Sequence, residues 1–275
     1  MNSNNNQTHA PARDFPPSRK MDTTTPINVL IPLFDQCNTL DVNGPLEILG
    51  NAALREGAPN APFNITITAA TPVTRAYEFV SIPRDVDFKS ATQMIENGEV
   101  DVLVMPGGGP DAVGKVLGNG GDGLLDLLTA YLKSQSEKED RWLISICTGA
   151  LLVGKVGGFV GLTATTHWAS LGTLVKICNA QGGPPTTVVR KRWVDGGVDA
   201  NGIRVVSSGG ISCGLDCMLW FVKEVLGIQS TVDVASMMDY EWNGGAFEGL
   251  RPSLAEKEDN KDGLLHGTGW VTRQW

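Results

Sequence analysis

The stretch that decides the fold spans residues 141–155 and reads RWLISICTGALLVGK. Its first part, residues 142–146, is a short apolar run rich in β-forming residues, which predicts a buried strand. Cys147 follows at once, and residues 148–153 are typical of the start of a helix. A strand that turns sharply into a helix exposes the residue at the turn and directs the free N–H groups of the helix towards it.

This arrangement predicts a nucleophile elbow with sulfur in place of the usual hydroxyl. The helix N-terminus is expected to lower the pKa of the Cys147 thiol, so that part of it is thiolate near neutral pH. The alternative is a buried structural cysteine, because free cysteine is among the most buried residue types. The stretch by itself leaves both interpretations open.

Apolar runs and helical spacing alternate along most of the chain. INVLIPLF at residues 27–34 and VDVLVM at residues 100–105 are near-continuous apolar runs, as expected for strands buried on both faces of a parallel sheet. The alternation predicts an α/β fold with a mostly parallel central sheet flanked by helices. Further strands or hairpin arms are predicted at residues 63–70, 75–90, 162–168, 188–194 and 203–208, and helices at residues 126–133, 209–227 and 231–242.

Four groups of residues are predicted to lie at the carboxyl ends of strands, where open α/β sheets bind their ligands. Asp41 lies in the loop after the first strand, ahead of a helix predicted to begin at Asn43. The glycines at 107–109 follow the strand predicted at residues 100–105, and Cys147 and His167 each follow a further predicted strand. This shared position favours a catalytic Cys147 over a structural one.

Composition restricts the classes of function. The chain has 275 residues, 22 of them basic and 30 acidic, and the formal charge of −8 disfavours nucleic acid or an anionic membrane as partner. No run approaches the roughly 18 apolar residues that a membrane span needs. Five cysteines without a framework spacing and three histidines predict reduced thiols, a cytoplasmic location and no metal site.

The two ends of the chain differ in composition from its middle. Residues 1–25 are rich in Asn, Pro, Ser and Thr and predict a disordered leader. Residues 26–242 are predicted to form a single α/β domain. Residues 243–275 are rich in glycine and charge and are predicted to be a tail that wraps the domain or extends from it.

Two motifs match known signatures incompletely. GPDAVGKV at residues 109–116 lacks the hydroxyl that follows the lysine of a phosphate-binding loop, and Pro110 removes one N–H donor, so phosphate binding is disfavoured. GISCG at residues 210–214 matches the elbow of serine hydrolases, but the strands and partner residues of such an enzyme do not follow it. A tight turn from a strand into a helix is the preferred interpretation.

The motifs LDVNGPLEIL, VLVMPGG, SICTGALLVG, TATTHW and VSSGGISCGLD resemble, in order and spacing, those of the ThiJ/PfpI family of the class I glutamine-amidotransferase-like superfamily. The resemblance extends over residues 28–242 and implies a flavodoxin-like or amidotransferase-like sandwich. Within the family it is closest to the isonitrile hydratases. It therefore implies a lyase that acts on a small molecule, needs no metal or organic cofactor, and forms a homodimer.

The resemblance also implies roles for single residues. Cys147 corresponds to the nucleophile, Asp41 to the general acid and base, and Thr148 to a threonine implicated beside them. Gly108 and the Thr148 amide correspond to oxyanion-hole positions, and His167 to a histidine near the pocket. Thr148 stands where the PfpI proteases carry histidine, which puts a Cys–His protease triad in doubt.

Two alternatives stay open on the sequence. The first is another cysteine-dependent activity of the family, such as glyoxalase-like or deglycase-like chemistry on small aldehydes, or amide hydrolysis. The second is a non-catalytic redox-sensing or ligand-sensing module.

Overall fold

The computed structural model describes residues 25–53, 62–134 and 140–242. The predicted leader (apart from Thr25) and the predicted tail lie outside these ranges. The strands are β1 (Ile27–Leu33), β2 (Phe63–Ala69), β3 (Val73–Arg75), β4 (Ser81–Pro83), β5 (Val86–Asp87), β6 (Val102–Met105), β7 (Arg141–Ser145), β8 (Thr163–Ala164), β9 (Thr187–Val188), β10 (Trp193–Val198) and β11 (Ile203–Ser208). The α-helices are α1 (Thr39–Ala53), α2 (Phe88–Glu96), α3 (Pro110–Asn119), α4 (Leu124–Lys133), α5 (Gly149–Lys155), α6 (Leu171–Asn179), α7 (Cys213–Leu226) and α8 (Ile228–Met237).

Seven strands of the described chain form one sheet in the order β10-β11-β7-β6-β1-β2-β5. The pairs from β11 to β5 are parallel, and β10 pairs antiparallel with β11 at one edge. The predicted α/β fold with a mostly parallel central sheet is therefore confirmed. The chain moves from β1 to β2 in one direction and later to β6 in the other, so the order reverses between β1 and β6. Ligands of such sheets bind at this type of reversal.

Three adjacent strands bring the predicted site residues to one edge of the sheet. Strand β6 pairs with β1 on one side and with β7 on the other, and Met105 lies opposite Ser145 at the carboxyl ends. The segment before Asp41 leaves β1, the glycine loop leaves β6, and Cys147 leaves β7. Because parallel strands end at the same edge, these three segments meet there.

Helices cover the sheet in two sets. Helices α1, α7 and α8 contact one another, while α2 contacts α4, and α5 contacts both α3 and α6. Every residue of β6 and β7 is buried. Burial on both faces explains why these strands are continuous apolar runs and not alternating ones.

Helix α1 begins earlier than predicted, so Asp41 lies in its first turn and not in a loop. The cap is Asn38, whose Oδ1 accepts the N–H of Asp41 at 3.2 Å, and not Asn43. Pro45 lies inside the helix, where it lacks the N–H that would bond to the Asp41 carbonyl. A proline is typical of the first turn of a helix and unusual in the second, which is why the sequence pattern predicts a later helix start.

Three helices, α2, α3 and α6, are not anticipated by the sequence patterns. The segment 75–90 contains the last residue of β3, its hairpin partner β4 and the two-residue strand β5, and Asp87 then caps α2 by accepting the Ser90 N–H at 2.8 Å. Helix α3 carries the glycines of GPDAVGKVLGN, which obscure the helical spacing of its buried residues. Glycine lowers helix propensity but does not prevent a helix that packs well.

Two further boundaries differ from prediction. The strand expected to end at His167 is reduced to β8, which pairs with β9 in a separate two-stranded sheet, and His167 precedes a 3₁₀ turn at Trp168–Ser170. Helix α7 begins at Cys213 and not at residue 209, because Gly210 to Ser212 form a turn in which Ile211 has φ of 47°.

The end of the sheet away from the candidate site is fixed by Tyr131. Its hydroxyl lies 3.0 Å from the carbonyl oxygen of Asp101 and 2.9 Å from that of Trp142, and the side chain is fully buried. We expect Tyr131→Phe to lower the free energy of unfolding by about 1–1.5 kcal/mol, the net worth of one buried hydrogen bond. Urea unfolding against an exposed control, Tyr77→Phe, measures this, and equal stability of the two variants would contradict it.

Candidate active site

Cys147 lies at a strained turn between β7 and α5. Its φ is 56°, in the left-handed region that residues with a side chain rarely adopt. Its N–H donates to the Gly209 carbonyl at 3.1 Å, and its carbonyl accepts the Thr166 hydroxyl at 2.8 Å. Its relative exposure is 5%. The elbow predicted from the sequence is therefore present, with the thiol almost enclosed.

Asp41 is fully buried at the start of α1. Its Oδ2 accepts the backbone N–H of Gly107 at 3.0 Å, while Oδ1 accepts no hydrogen bond from the described chain. Burial raises the pKa of the Asp41 carboxyl to about 7, against the lowering effects of the Gly107 N–H and the nearby Cys147 thiol. A carboxyl with this pKa exists in both protonation states near neutral pH, as a general acid and base requires.

The glycine loop after β6 joins Asp41 to the cysteine elbow. A Cβ atom at Gly107 would lie 2.6 Å from the Thr148 hydroxyl and 2.9 Å from Asp41 Oδ2, so a side chain does not fit there. The Thr148 hydroxyl accepts the Gly108 N–H at 2.9 Å and donates to the Gly108 carbonyl at 2.8 Å. The Thr148 hydroxyl thus holds the glycine loop through both the N–H and the carbonyl of Gly108.

The expected lowering of the Cys147 pKa is wrong. Burial, followed by the negative charge of Asp41, raises the pKa of the thiol to about 12, and N–H groups of Ile211 and Thr148 oppose this shift without cancelling it. Helix α5 has seven residues, and its first N–H, that of Gly149, already bonds to the Ile146 carbonyl at 2.9 Å. The helix N-terminus therefore has little left to offer a thiolate.

Asp41 and Cys147 consequently form a pair that holds one proton between about pH 7 and pH 12. The carboxyl ionises first, because its pKa is about 7 and that of the thiol is about 12. The resting state above neutrality is a carboxylate beside a neutral thiol. The carboxylate can take the thiol proton as the sulfur reacts, and this arrangement replaces the free thiolate that the sequence predicted.

The oxyanion-hole assignment meets a specific obstacle. The Gly108 N–H is bonded to Thr148, and the Thr148 N–H is directed at the Cys147 sulfur. Both N–H groups expected to stabilise an oxyanion therefore have partners in this structure. Their predicted role would require these bonds to break.

His167 lies beside the elbow turn of α7. Its Nδ1 accepts the Ala169 N–H at 3.3 Å, and its ring lies 5.6 Å from that of Trp168. A Cβ atom at Gly210 would overlap the His167 ring, so the imidazole packs directly on that backbone. Gly210 precedes Ile211, which touches the cysteine, and a role for His167 in the chemistry stays a prediction.

Several contacts of the site come from backbone groups that residue types do not reveal. The N–H of Gly107 binds Asp41, and the N–H of Ile211 faces Cys147. The GISCG motif is predicted to be a packing turn, and that is its local structure. Its positive-φ residue, Ile211, also brings a donor to the thiol. The one sequence signal for this contact is the resemblance of the motif to a hydrolase elbow.

A groove of about 640 Å³ lies beside the site, on the other side of the glycine loop. It is bordered by helix α3 with the loop that follows it and by residues at the ends of β1 and β2, and its lining includes neither Asp41 nor Cys147. Lys115 of the GPDAVGKV motif lines it together with Asp35, Asp111 and Asp122. Three carboxylates against one ammonium do not form a phosphate cradle, in agreement with the incomplete motif.

Metal-binding clusters and membrane-spanning helices are both absent from residues 25–53, 62–134 and 140–242. No three His, Cys, Asp or Glu side chains within them are grouped so that they could hold a metal ion. None of the helices in those ranges is long and apolar enough to span a membrane.

A parallel α/β sheet with a strained cysteine at the end of a central strand, and a buried carboxyl beside it, defines an α/β protein with a cysteine elbow. The model of the DJ-1/PfpI family matches residues 27–224. The chain belongs to the DJ-1/PfpI family, and the resemblance seen in the motifs is confirmed.

Individual relatives are more distant. The chain is 27% identical over 208 residues to isonitrile hydratase from Pseudomonas putida, with 76% of each chain covered. Among solved structures it is similar to a ThiJ/PfpI family protein from Pseudomonas syringae (TM-score 0.60, 20% identity, 88% of each chain). It is also similar to an AraC family transcriptional regulator from Pseudomonas putida (TM-score 0.56, 16% identity, 78% of this chain and 100% of the other). At these identities the solved structures establish the shared fold.

The raised pKa of Cys147 predicts slow alkylation at neutral pH. Iodoacetamide should label Cys147 with a rate that still rises above pH 9. Above about pH 8, where Asp41 is ionised in the wild type, Asp41→Asn should label about tenfold faster at equal pH, since removing the carboxylate lowers the thiol pKa. Labelling between pH 6 and 10 with peptide mapping measures both. The variant Cys147→Ser is the control, because any label it takes up must come from the other cysteines. A wild-type rate already maximal at pH 7 would contradict the prediction.

The buried carboxyl also predicts how stability changes with pH. The folded-state pKa of Asp41 is raised from its ordinary value of 3.8 to about 7. The folded protein therefore keeps a proton that the unfolded chain loses, and its stability falls as pH rises through this window. We expect Asp41→Asn to be more stable than wild type at pH 8. Its gain in free energy of unfolding over wild type should be about 1–3 kcal/mol larger at pH 8 than at pH 5.

Urea unfolding of both proteins at the two pH values measures this effect. Asp35→Asn, at an exposed position, is the control and should show no such pH-dependent gain. A gain for Asp41→Asn that is the same at both pH values would mean that proton uptake is not its source.

Proposed function

We propose that this protein adds water to an isonitrile to give an N-substituted formamide. The observation that carries the proposal is the buried Asp41 carboxyl, held at the Cys147 thiol with one oxygen unpartnered in the described chain and a pKa of about 7. The similarity to isonitrile hydratase from Pseudomonas putida supports the same reaction.

In the first step the Cys147 sulfur attacks the terminal carbon of the isonitrile, R–N≡C. Asp41 takes the thiol proton as the carbon–sulfur bond forms, and then delivers it to the same carbon. The product is the thioimidate R–N=CH–S–Cys147. One S–H bond is broken and one C–H bond is formed, so no external proton is consumed.

In the second step Asp41, again a carboxylate, removes a proton from water as the water oxygen adds to the thioimidate carbon. Asp41 passes this proton to the nitrogen, which gives the carbinol R–NH–CH(OH)–S–Cys147. As the carbon–sulfur bond breaks, Asp41 takes the hydroxyl proton and returns it to the sulfur, and R–NH–CHO is released. The cycle needs one water molecule and restores both side chains.

The enclosure of the thiol suits this substrate. The relative exposure of Cys147 is 5%. A slender, linear end group therefore reaches its sulfur more easily than a planar amide or ester does. Amide hydrolysis also builds charge on an oxygen that N–H donors must stabilise, and the Gly108 and Thr148 donors are engaged. Attack on an isonitrile places its charge on carbon, where the Asp41 proton neutralises it.

The same features weigh against a redox sensor. Sensor cysteines react because they are accessible and have a low thiol pKa. Cys147 is enclosed and its pKa is about 12. The chain shares its fold with an AraC family regulator, but a shared fold does not determine function. The argument against a sensor rests on the geometry of the site.

The proposal predicts formamide production that depends on pH and on both residues. With an aliphatic isonitrile, kcat/KM should rise with pH through about 7, since Asp41 must be ionised to take the thiol proton. Asp41→Asn and Cys147→Ala should each lose a factor of about 10²–10⁴ or more, and the double variant should be scarcely worse. Proton NMR of the formyl group follows the product.

Two controls make the assay specific. Cys178→Ala removes a cysteine of α6, outside the site, and should retain activity. Methylglyoxal, incubated in parallel, tests glyoxalase-like chemistry. Consumption of methylglyoxal without formamide formation, or near-normal formamide production by Asp41→Asn, would overturn the proposal.

A further inference from the structure

The hairpin of β3 and β4 carries a carboxylate that reaches the start of α1. The hairpin is anchored to the segment before the helix by two backbone bonds, from Gln36 N–H to the Arg75 carbonyl at 2.7 Å and from Tyr77 N–H to the Cys37 carbonyl at 2.9 Å. Glu78 lies at the tip of the hairpin, next to Tyr77. Its side chain is thereby fixed over the first turn of the helix.

Glu78 uses both carboxylate oxygens there. Oε1 accepts the side-chain amide of Asn38 at 2.7 Å, and Oε2 accepts the backbone N–H of Thr39 at 2.9 Å together with the Thr39 hydroxyl. The amide that Glu78 orients is the one whose oxygen caps α1 and accepts the Asp41 N–H. Two hydrogen bonds in series, both made by the Asn38 side chain, thus connect the Glu78 carboxylate to the Asp41 backbone.

The charge of Glu78 acts on the same carboxyl. Partial desolvation raises the pKa of Glu78, but the two bonds from Thr39 outweigh it and the net pKa is lowered, so Glu78 is anionic at neutral pH. This negative charge raises the pKa of Asp41 and also that of Cys37. The described groups that act on Asp41 are thus Glu78 from the hairpin, Gly107 N–H from the β6 loop and Cys147 from the elbow.

Helix α7 also packs against α1. There, Leu215 packs against Gly44 and contributes no charge. Among the described residues, Glu78 is therefore the charged group that acts on Asp41 from outside its own helix, because the Cys147 thiol beside it is neutral.

We propose that Glu78 is a positioning residue of the active site, which sets both the orientation of the α1 start and the charge state of Asp41. Its effect on turnover rests on the proposed function. Its effect on Asp41 does not, because the titration of that carboxyl can be followed without any substrate.

The test compares Glu78→Gln with Glu47→Gln. Both remove one negative charge from an exposed position. Glu47 lies on α1 two turns beyond Asp41 and bonds to Asn51 on its own helix. The carboxyl carbon of Asp41, assigned in ¹³C NMR spectra with Asp41→Asn, is titrated in each protein.

We expect the Asp41 midpoint in Glu78→Gln to fall by about 0.3–1 pH unit, the size of a unit charge acting across several ångströms at the protein surface. The Glu47→Gln midpoint should stay at the wild-type value. If the protein is an isonitrile hydratase, the rise of kcat/KM with pH shifts by the same amount, and this shift distinguishes a change of charge state from a general loss of stability.

An Asp41 midpoint that is equal in the two variants would overturn the role of Glu78, whether or not formamide is produced. A shifted midpoint in a protein that forms no formamide would leave the role of Glu78 intact and reject the proposed function. The two failures are therefore distinguishable.

Discussion

The structure of the site depends on one hydrogen bond, from the Gly107 backbone N–H to Oδ2 of buried Asp41. Burying a carboxylate is costly, and this bond and the Cys147 thiol offset the cost only in part, which leaves the pKa of Asp41 at about 7. The bond needs the loop after β6 to approach α1 and the elbow so closely that a Cβ atom at position 107 would overlap Thr148. The glycine, the carboxyl and the threonine are therefore one constraint.

Backbone strain at the elbow is a second cost, and the contacts of neighbouring residues offset it. Cys147 and Ile211 both have positive φ, a conformation that costs about 1–2 kcal/mol for a residue with a side chain. The turn at Cys147 is held from both sides, because Gly209 accepts its N–H and Thr166 donates to its carbonyl. Because the two strained turns face each other, the Ile211 N–H points at the Cys147 sulfur.

The sequence predicts what depends on continuous apolar runs and close glycines. Cys147 and the 107–109 loop are placed correctly because β6 and β7 are buried on both faces and end where their apolar runs end. The start of α1 is misplaced because its cap, Asn38, is oriented by Glu78, forty residues away in the chain. The thiol pKa is wrong for a related reason: spacing indicates a helix N-terminus, but not that the thiol is buried beside a carboxylate.

This last difference changes where reactivity comes from. A thiolate stabilised by a helix would attack any accessible electrophile, whereas a thiol that yields its proton to Asp41 favours electrophiles that can take the proton back from the same place. In an isonitrile, sulfur and proton go to the same carbon, so one carboxyl adjacent to the sulfur suffices. In a carbonyl compound the charge develops on oxygen, towards the Gly108 and Thr148 N–H groups, which already have partners. A raised thiol pKa, which makes a cysteine a poor general nucleophile, thus becomes a source of selectivity under the proposed function.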